Sequence, residues 1–200
     1  MKKLTLLFIL TSGIMWSQEE TQEKTFEPFI NYTLSARANH FTGSNYLAKG
    51  HKNLDMGFSG KLNFFKFYNV GFGMGVNFST LKVDGNNTSI GGNINKSNLT
   101  SYDFNFLYPI TLGKKPILEP TAFVGGFSIR QKSGSKDYGK HSGIFYGFGV
   151  NFLYPLNDFL KIYSNLGYHF YAHKIKTTPE FESYFKNSNA VSLSLGLRFF

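Results

Sequence analysis

Five histidines, a sparse set of charges and no cysteine are what this 200-residue chain offers for chemistry. Without a thiol there is no disulfide, no thiolate nucleophile and no lipidated N-terminal cysteine. His40, His51, His141 and His173 fall at or near stretches read as loops, where their imidazoles could gather round one metal ion. The plainer reading makes them polar residues of an exposed rim. His169 and His173 lie four residues apart, about 13 Å along an extended strand, too far for one ion to bridge. In "YSNLGYHF", Ser164 and His169 alternate onto opposite faces of a strand and do not make a nucleophile–base pair. The glycine pairs Gly91-Gly92 and Gly125-Gly126 have no phosphate-loop or dinucleotide context. Basic residues are scattered instead of banked on one helix, which argues against nucleic acid. No catalytic residue, cofactor or metal site emerges. More informative are charges at alternate positions of apolar runs: Arg37, Asp55, Lys61, Asp103, Arg130, Lys161 and Arg198.

Composition says what kind of element carries those charges. Aromatics make up 18% of the chain, with 23 Phe and 12 Tyr, beside 21 Gly and only 16% charged residues. Mean hydropathy is −0.20, too low for a bundle of membrane helices. Such a mixture suits a barrel with an apolar outer face and a polar lumen. The opening "MKKLTLLFILTSGIMWS" reads as a secretory signal over residues 1–17, with Lys2 and Lys3 before a short apolar run. Cleavage falls after Ser17 or after Gly13, and residues 18–25 form a polar lead. Loss of Lys2 and Lys3 lowers the formal charge from +9 to +7, so the mature chain stays basic.

From Ile30 onward, period-two alternation hardly stops. Eight runs carry it: Ile30–Ala38, Leu54–Phe64, Val70–Phe78, Tyr102–Tyr108, Thr121–Ile129, Tyr146–Tyr154, Ile162–Phe170 and Val191–Phe199. In each, the more apolar set is read as facing lipid. For the fifth run that set is Thr121, Phe123, Phe127 and Ile129, with Val124 as an exception, so its parity flips and Arg130 faces the lumen. Sustained runs match the tilted strands of a membrane barrel better than soluble strands. Connections alternate short ("FKFYN", "TLGKKP", "ND") and long (41–53, 82–98, 131–141, 174–187), as short periplasmic turns and long outer loops do. The expected fold is all-β, an eight-stranded antiparallel up-and-down transmembrane β-barrel over 26–200. "NFLYPI" at 105–110 and "NFLYPL" at 151–156 then mark one strand terminus used twice. Tyr108 and Tyr154 fall on an aromatic girdle, and Pro109 and Pro155 stand where a missing N–H costs little.

The terminal strand "AVSLSLGLRFF", the glycine-aromatic "VGFGMGVNF" and the strand start "KKPILEPTAFVGGFS" resemble the small outer-membrane β-barrel proteins of Gram-negative bacteria, of the porin-family or outer-membrane-β-barrel-domain kind. The resemblance covers everything after the signal. It implies the cell outer membrane, reached by secretion through the inner membrane. It also implies contact with outer-membrane lipid and lipopolysaccharide, and insertion by the barrel-assembly machinery, which reads a terminal aromatic: Phe199 or Phe200. No nucleic-acid partner follows, and a monomer is expected.

In that fold the seven charges line the lumen, Arg37 beside Asp55 and Asp103 beside Arg130, with Lys61, Lys161 and Arg198 lower. They act as a plug of ion pairs or as a gate. Five cations against two carboxylates leave a surplus of three. The expected function is a non-enzymatic structural or surface-interaction protein with a largely closed lumen. A narrow, weakly anion-selective channel is the alternative, and a lipid-A-modifying enzyme the third.

Overall fold

The structure is a computed structural model that describes residues 27–52, 54–84, 94–113, 115–175 and 179–200. The expected signal and polar lead lie outside the described residues. Eight long antiparallel strands form the wall: β1 (Glu27–Thr42), β2 (Asp55–Phe67), β3 (Val70–Lys82), β4 (Lys96–Leu107), β6 (Ile117–Ser133), β7 (Lys136–Pro155), β8 (Leu160–Lys174) and β9 (Asn187–Phe199). The two-residue β5 (Ile110–Thr111) only pairs with the start of β6. The hydrogen-bonded order β4-β3-β2-β1-β9-β8-β7-β6, closed by β4 against β6, makes an up-and-down barrel without an open edge.

Alternation decides which face each side chain takes. Leu34, Phe58, Phe78, Phe104, Phe148, Leu166 and Leu195 stand exposed outside, and Phe58 keeps 72% of its surface accessible. A soluble monomer does not carry an apolar belt on every strand of its wall. Asn31, Thr33, Ser35, Asn63, Asn77, Asn105, Asn151 and Ser194 point inward and are buried. At the short-turn end the outer aromatics ladder across strands: Phe65 stacks on Phe72 at 4.5 Å, and Phe72 meets Phe106 edge-on at 5.3 Å.

The fifth run departs from expectation. On β6 it is Val124, Ala122 and Arg130 that are exposed, whereas Thr121, Phe123, Phe127 and Ile129 are buried in the lumen. The parity does not flip. The apolar face of this strand is its inner face, because it fills the barrel instead of meeting lipid. Residues 131–141 are not a loop either: β6 and β7 run on as a hairpin turning at Gly134-Ser135, with Gly134 at φ 59°. Similarly "FKF" stays in β2, and the turn is Tyr68-Asn69, both left-handed at φ 47° and 64°.

Among the described residues, two connections fold into helices. In α1 (Tyr46–Gly50), Asn45 caps the start: its Oδ1 accepts from the Ala48 N–H at 3.0 Å, and its amide donates to the Thr42 carbonyl at 2.7 Å. In α2 (Pro179–Lys186), Lys186 pairs with Glu182 one turn back at 2.8 Å.

Inward glycines seat their neighbours. A Cβ at Gly75 would lie 2.8 Å from the Asp103 carboxylate oxygens, and one at Gly73 would lie 2.2 Å from Asn63 Oδ1. Gly147 is tighter: a Cβ would lie 2.1 Å from the Tyr168 carbonyl oxygen and 2.6 Å from the Phe123 ring. Gly147→Ala is therefore expected to destabilise the barrel by about 1–3 kcal/mol, through displaced Phe123. Gly60→Ala, whose Cβ would meet nothing nearer than 3.7 Å, should be neutral or slightly stabilising when both variants are compared by urea titration.

Candidate functional site

The lumen is built in three tiers. At the short-turn end, Arg198 on β9 and Glu119 on β6 form an ion pair, 1% and 2% exposed. Nη1 donates to both carboxylate oxygens at 2.8 Å, Nε donates to Thr33 Oγ1 at 3.0 Å, and the guanidinium lies 5.5 Å from the Tyr163 ring centroid. Asn151 donates to the other side of Glu119 at 3.1 Å, and its carbonyl oxygen accepts from the Tyr163 hydroxyl at 3.1 Å. Lys61 in turn donates to that hydroxyl at 3.2 Å. Lys161 places its ammonium 3.9 Å over the ring of Phe200.

In the middle tier Arg37 is a hub. Nε donates to Asn39, Nη1 to Asn77 Oδ1 at 2.9 Å, and Nη2 lies 2.8 Å from His169 Nε2. Asn77 passes the interaction on, since its amide donates to Asp103 Oδ2 at 3.1 Å. Arg37 and Asp103 are thus joined through one side-chain amide. Because a guanidinium only donates, His169 Nε2 accepts, which makes the imidazole neutral with its proton on Nδ1. Ser192 Oγ also approaches Nε2 at 2.8 Å, while Nδ1 has no carboxylate to orient it. This serine–histidine contact lacks the third group that activates a nucleophile.

The tier nearest the helices is apolar. Phe123, Phe127, Ile129, Phe145 and Tyr171 pack with Phe41, Leu81 and Leu99, and α1 lowers Tyr46 and Leu47 onto them. Phe127 meets Tyr171 edge-on at 5.1 Å, and Tyr171 stacks on Phe145 at 5.4 Å. Tyr184 and Phe185 of α2 close over the side. His51 tethers α1: its Nδ1 donates to the Leu47 carbonyl at 3.2 Å, and Nε2 accepts from Ser97 Oγ at 2.9 Å. Gln131 hydrogen-bonds the Tyr46 hydroxyl.

Burial pushes the His51 imidazole down to about 4, with nearby His141 adding to the effect. Its folded value is below the unfolded one, so the stability it contributes is complete above about pH 6.5 and is lost as pH falls towards 4. Acidification over that window should loosen α1 by up to about 3 kcal/mol, seen as faster hydrogen exchange in 45–52. His51→Asn should flatten that pH profile.

Six of the seven expected charges line the lumen, but not in the expected pairs. Asn39, not Arg37, stands opposite Asp55, and Arg37 faces Gly57. Arg130 is the exception: it points outward between Asn98 and Lys140, while Asp103 faces Gly125. Glu119, absent from the expected set, replaces it. Over these residues four cations now meet three carboxylates, a surplus of one instead of three. Tyr154 is exposed on β7, and Tyr108 follows β4 with its N–H on the Pro120 carbonyl. Phe199 ends β9 stacked on Tyr32 at 5.2 Å, and Phe200 lies beyond the strand with its N–H on the Phe159 carbonyl. Of the loop histidines, His141 and His173 approach to 5.4 Å between ring centroids, and His40 faces outward. Among the described residues no group of three or more potential ligands is placed to hold a metal ion.

No protein-family model and no curated sequence matches the chain. Solved structures do. Neisserial surface protein A superposes with a TM-score of 0.59 at 16% identity, over 84% of this chain and 96% of that one. A major outer membrane protein from Thermus thermophilus gives 0.56 at 16% identity, over 86% and 99%. The outer membrane protein AlkL in DMPC lipid bilayers gives 0.50 at 13% identity, over 92% and 95%. Identities this low speak for fold and not for activity. The chain has the fold of the small eight-stranded β-barrels of bacterial outer membranes.

Proposed function

We propose that this chain is a non-enzymatic outer-membrane barrel, closed to solutes, that serves a structural or surface-interaction role through its helical end. One observation carries the reading: aromatic side chains of β6–β8, capped by Leu47 and Tyr46, fill the lumen where a channel would need water. Eight strands enclose a space that side chains just fill, and here the inward glycines seat neighbouring residues instead of leaving a path. With a surplus of one charge, the lumen has little basis for anion selection. Short turns face the periplasm and the helical end faces outward, as in barrels of this kind. The Tyr108 and Tyr154 rings then meet the periplasmic interface, and Phe199 and Phe200 present the terminal aromatics for assembly.

Liposomes carrying the refolded chain should show no swelling in small sugars or amino acids beyond empty liposomes. Outer-membrane lipid A should have the same mass profile with and without the protein. Solute uptake above background would favour a channel, and a changed lipid A mass would favour an enzyme.

A further inference from the structure

Two of the four histidines that could have gathered round an ion do come together. His141 on β7 and His173 on β8 both take inward positions at the helical end. They lie diagonally across the ladder, because His173 pairs with Gly143, two residues beyond His141. Their ring centroids are 5.4 Å apart, with the planes tilted by 49°. His173 is 7% exposed and meets the Phe127 ring at 4.9 Å, while Tyr46 of α1 comes to 5.9 Å from His141.

The ring nitrogens set this pair apart. His141 Nε2 and His173 Nδ1 are both buried without a hydrogen-bond partner, a costly arrangement for polar atoms. The other nitrogen of His173, Nε2, lies 3.1 Å from Ser188 Oγ on β9. With Nε2–H donating to that oxygen, the lone pair sits on Nδ1, the tautomer and the supporting contact that a ligating imidazole uses. His51 also packs against Tyr46, but the Leu47 carbonyl and Ser97 already engage both its nitrogens. His169 has an unpartnered Nδ1 too, yet it stands beside the Arg37 guanidinium, which repels a cation.

The separation fits one shared ion. A metal about 2.1 Å from one nitrogen of each ring, at a tetrahedral angle, holds the ring centroids about 5.2 Å apart. Residue type selects the ion, since imidazole suits zinc, copper and nickel, whereas calcium and magnesium take oxygen ligands. We propose that His141 and His173 form a two-imidazole site for a divalent transition-metal ion, zinc by its tetrahedral preference, with water in the remaining positions. Tyr184 on α2 packs against the same cluster, and its buried, unpartnered hydroxyl can accept a hydrogen bond from a metal-bound water. An ion held there ties β7 to β8 beneath α1 and steadies the helical end. Binding depends on these contacts alone and not on the orientation of the barrel in the membrane.

The test uses the full chain without an affinity tag, refolded in detergent, stripped with EDTA and titrated with zinc chloride. The native chain should bind one zinc ion, and saturating zinc should raise its urea midpoint, whereas magnesium chloride should do neither. H141Q/H173Q should bind at least about a hundredfold more weakly, and S188A about tenfold more weakly. H40Q, altered at an outward-facing ring, should bind as the native chain does. Heat-modifiable electrophoretic migration confirms the folded barrel in each variant. In the native chain, zinc should move the side-chain nitrogen resonances of His141 and His173 and leave those of His51 and His169 in place, a reading that needs no variant. Three results would overturn the proposal: no saturable zinc binding by the native chain, unchanged affinity in folded H141Q/H173Q, or resonance shifts confined to other histidines.

Discussion

Replacing Glu119 with alanine should destabilise the barrel by about 3–5 kcal/mol, read as a lowered urea midpoint with an unchanged slope. The reason lies in what remains behind. Arg198 is 1% exposed, and its Nη1 places both short hydrogen bonds on Glu119. Without the carboxylate it keeps Thr33 and the face of Tyr163, neither of which carries charge. Lys61, joined to the Glu119 position by three hydrogen bonds through Tyr163 and Asn151, then shares a tier with an uncompensated guanidinium. Removing both partners is a different experiment. Arg198→Met with Glu119→Leu takes out two desolvated charges at once and should recover most of the loss. A double variant as unstable as the single would show that the pair is not a coupled unit.

Phe127→Ala should cost about 3–5 kcal/mol as well, by a different route. Its ring is buried in the lumen against Tyr171 and His173, and it lies over Gly143, where a Cβ would sit 2.8 Å from the ring. Truncation leaves a cavity that rigid strands cannot collapse into. Val124→Ala, nearby on the same strand, removes a side chain exposed on the belt and should cost well under 1 kcal/mol. A larger loss at Val124 than at Phe127 would mean that the faces of β6 had been assigned the wrong way round.

Those neighbours also show what period-two reading can and cannot recover. On β3, β7 and β9 the outer face is apolar and the inner face is mostly glycine, asparagine or serine, so alternation and burial agree. On β6 the inner face is the more apolar, because Phe123, Phe127 and Ile129 plug the lumen, while Gly126, Ser128 and Arg130 face outward. A rule that sends apolar residues to lipid inverts such a strand, and Arg130 moves inside with it. Val124, the one large apolar residue out of phase, carried the correct parity. Counting back two from Thr121 in that parity reaches Glu119, which a strand begun at Thr121 leaves out. The helices were less legible. Five residues hold α1 only because Asn45 caps them and Leu47 finds an apolar floor contributed by distant strands. The hairpin over 131–141 reads as a loop because its residues are polar, which is what a strand extended beyond the apolar belt requires.

Closure of the lumen is most directly tested by single-channel recording of the refolded native chain in a planar bilayer. A barrel filled by the Phe123, Phe127, Phe145 and Tyr171 cluster under α1 should insert silently, with no conductance steps at either polarity. Phe123→Ala with Phe127→Ala should be the form that flickers open. Regular, long-lived steps from the native chain would contradict the closed lumen and make the channel reading the better account.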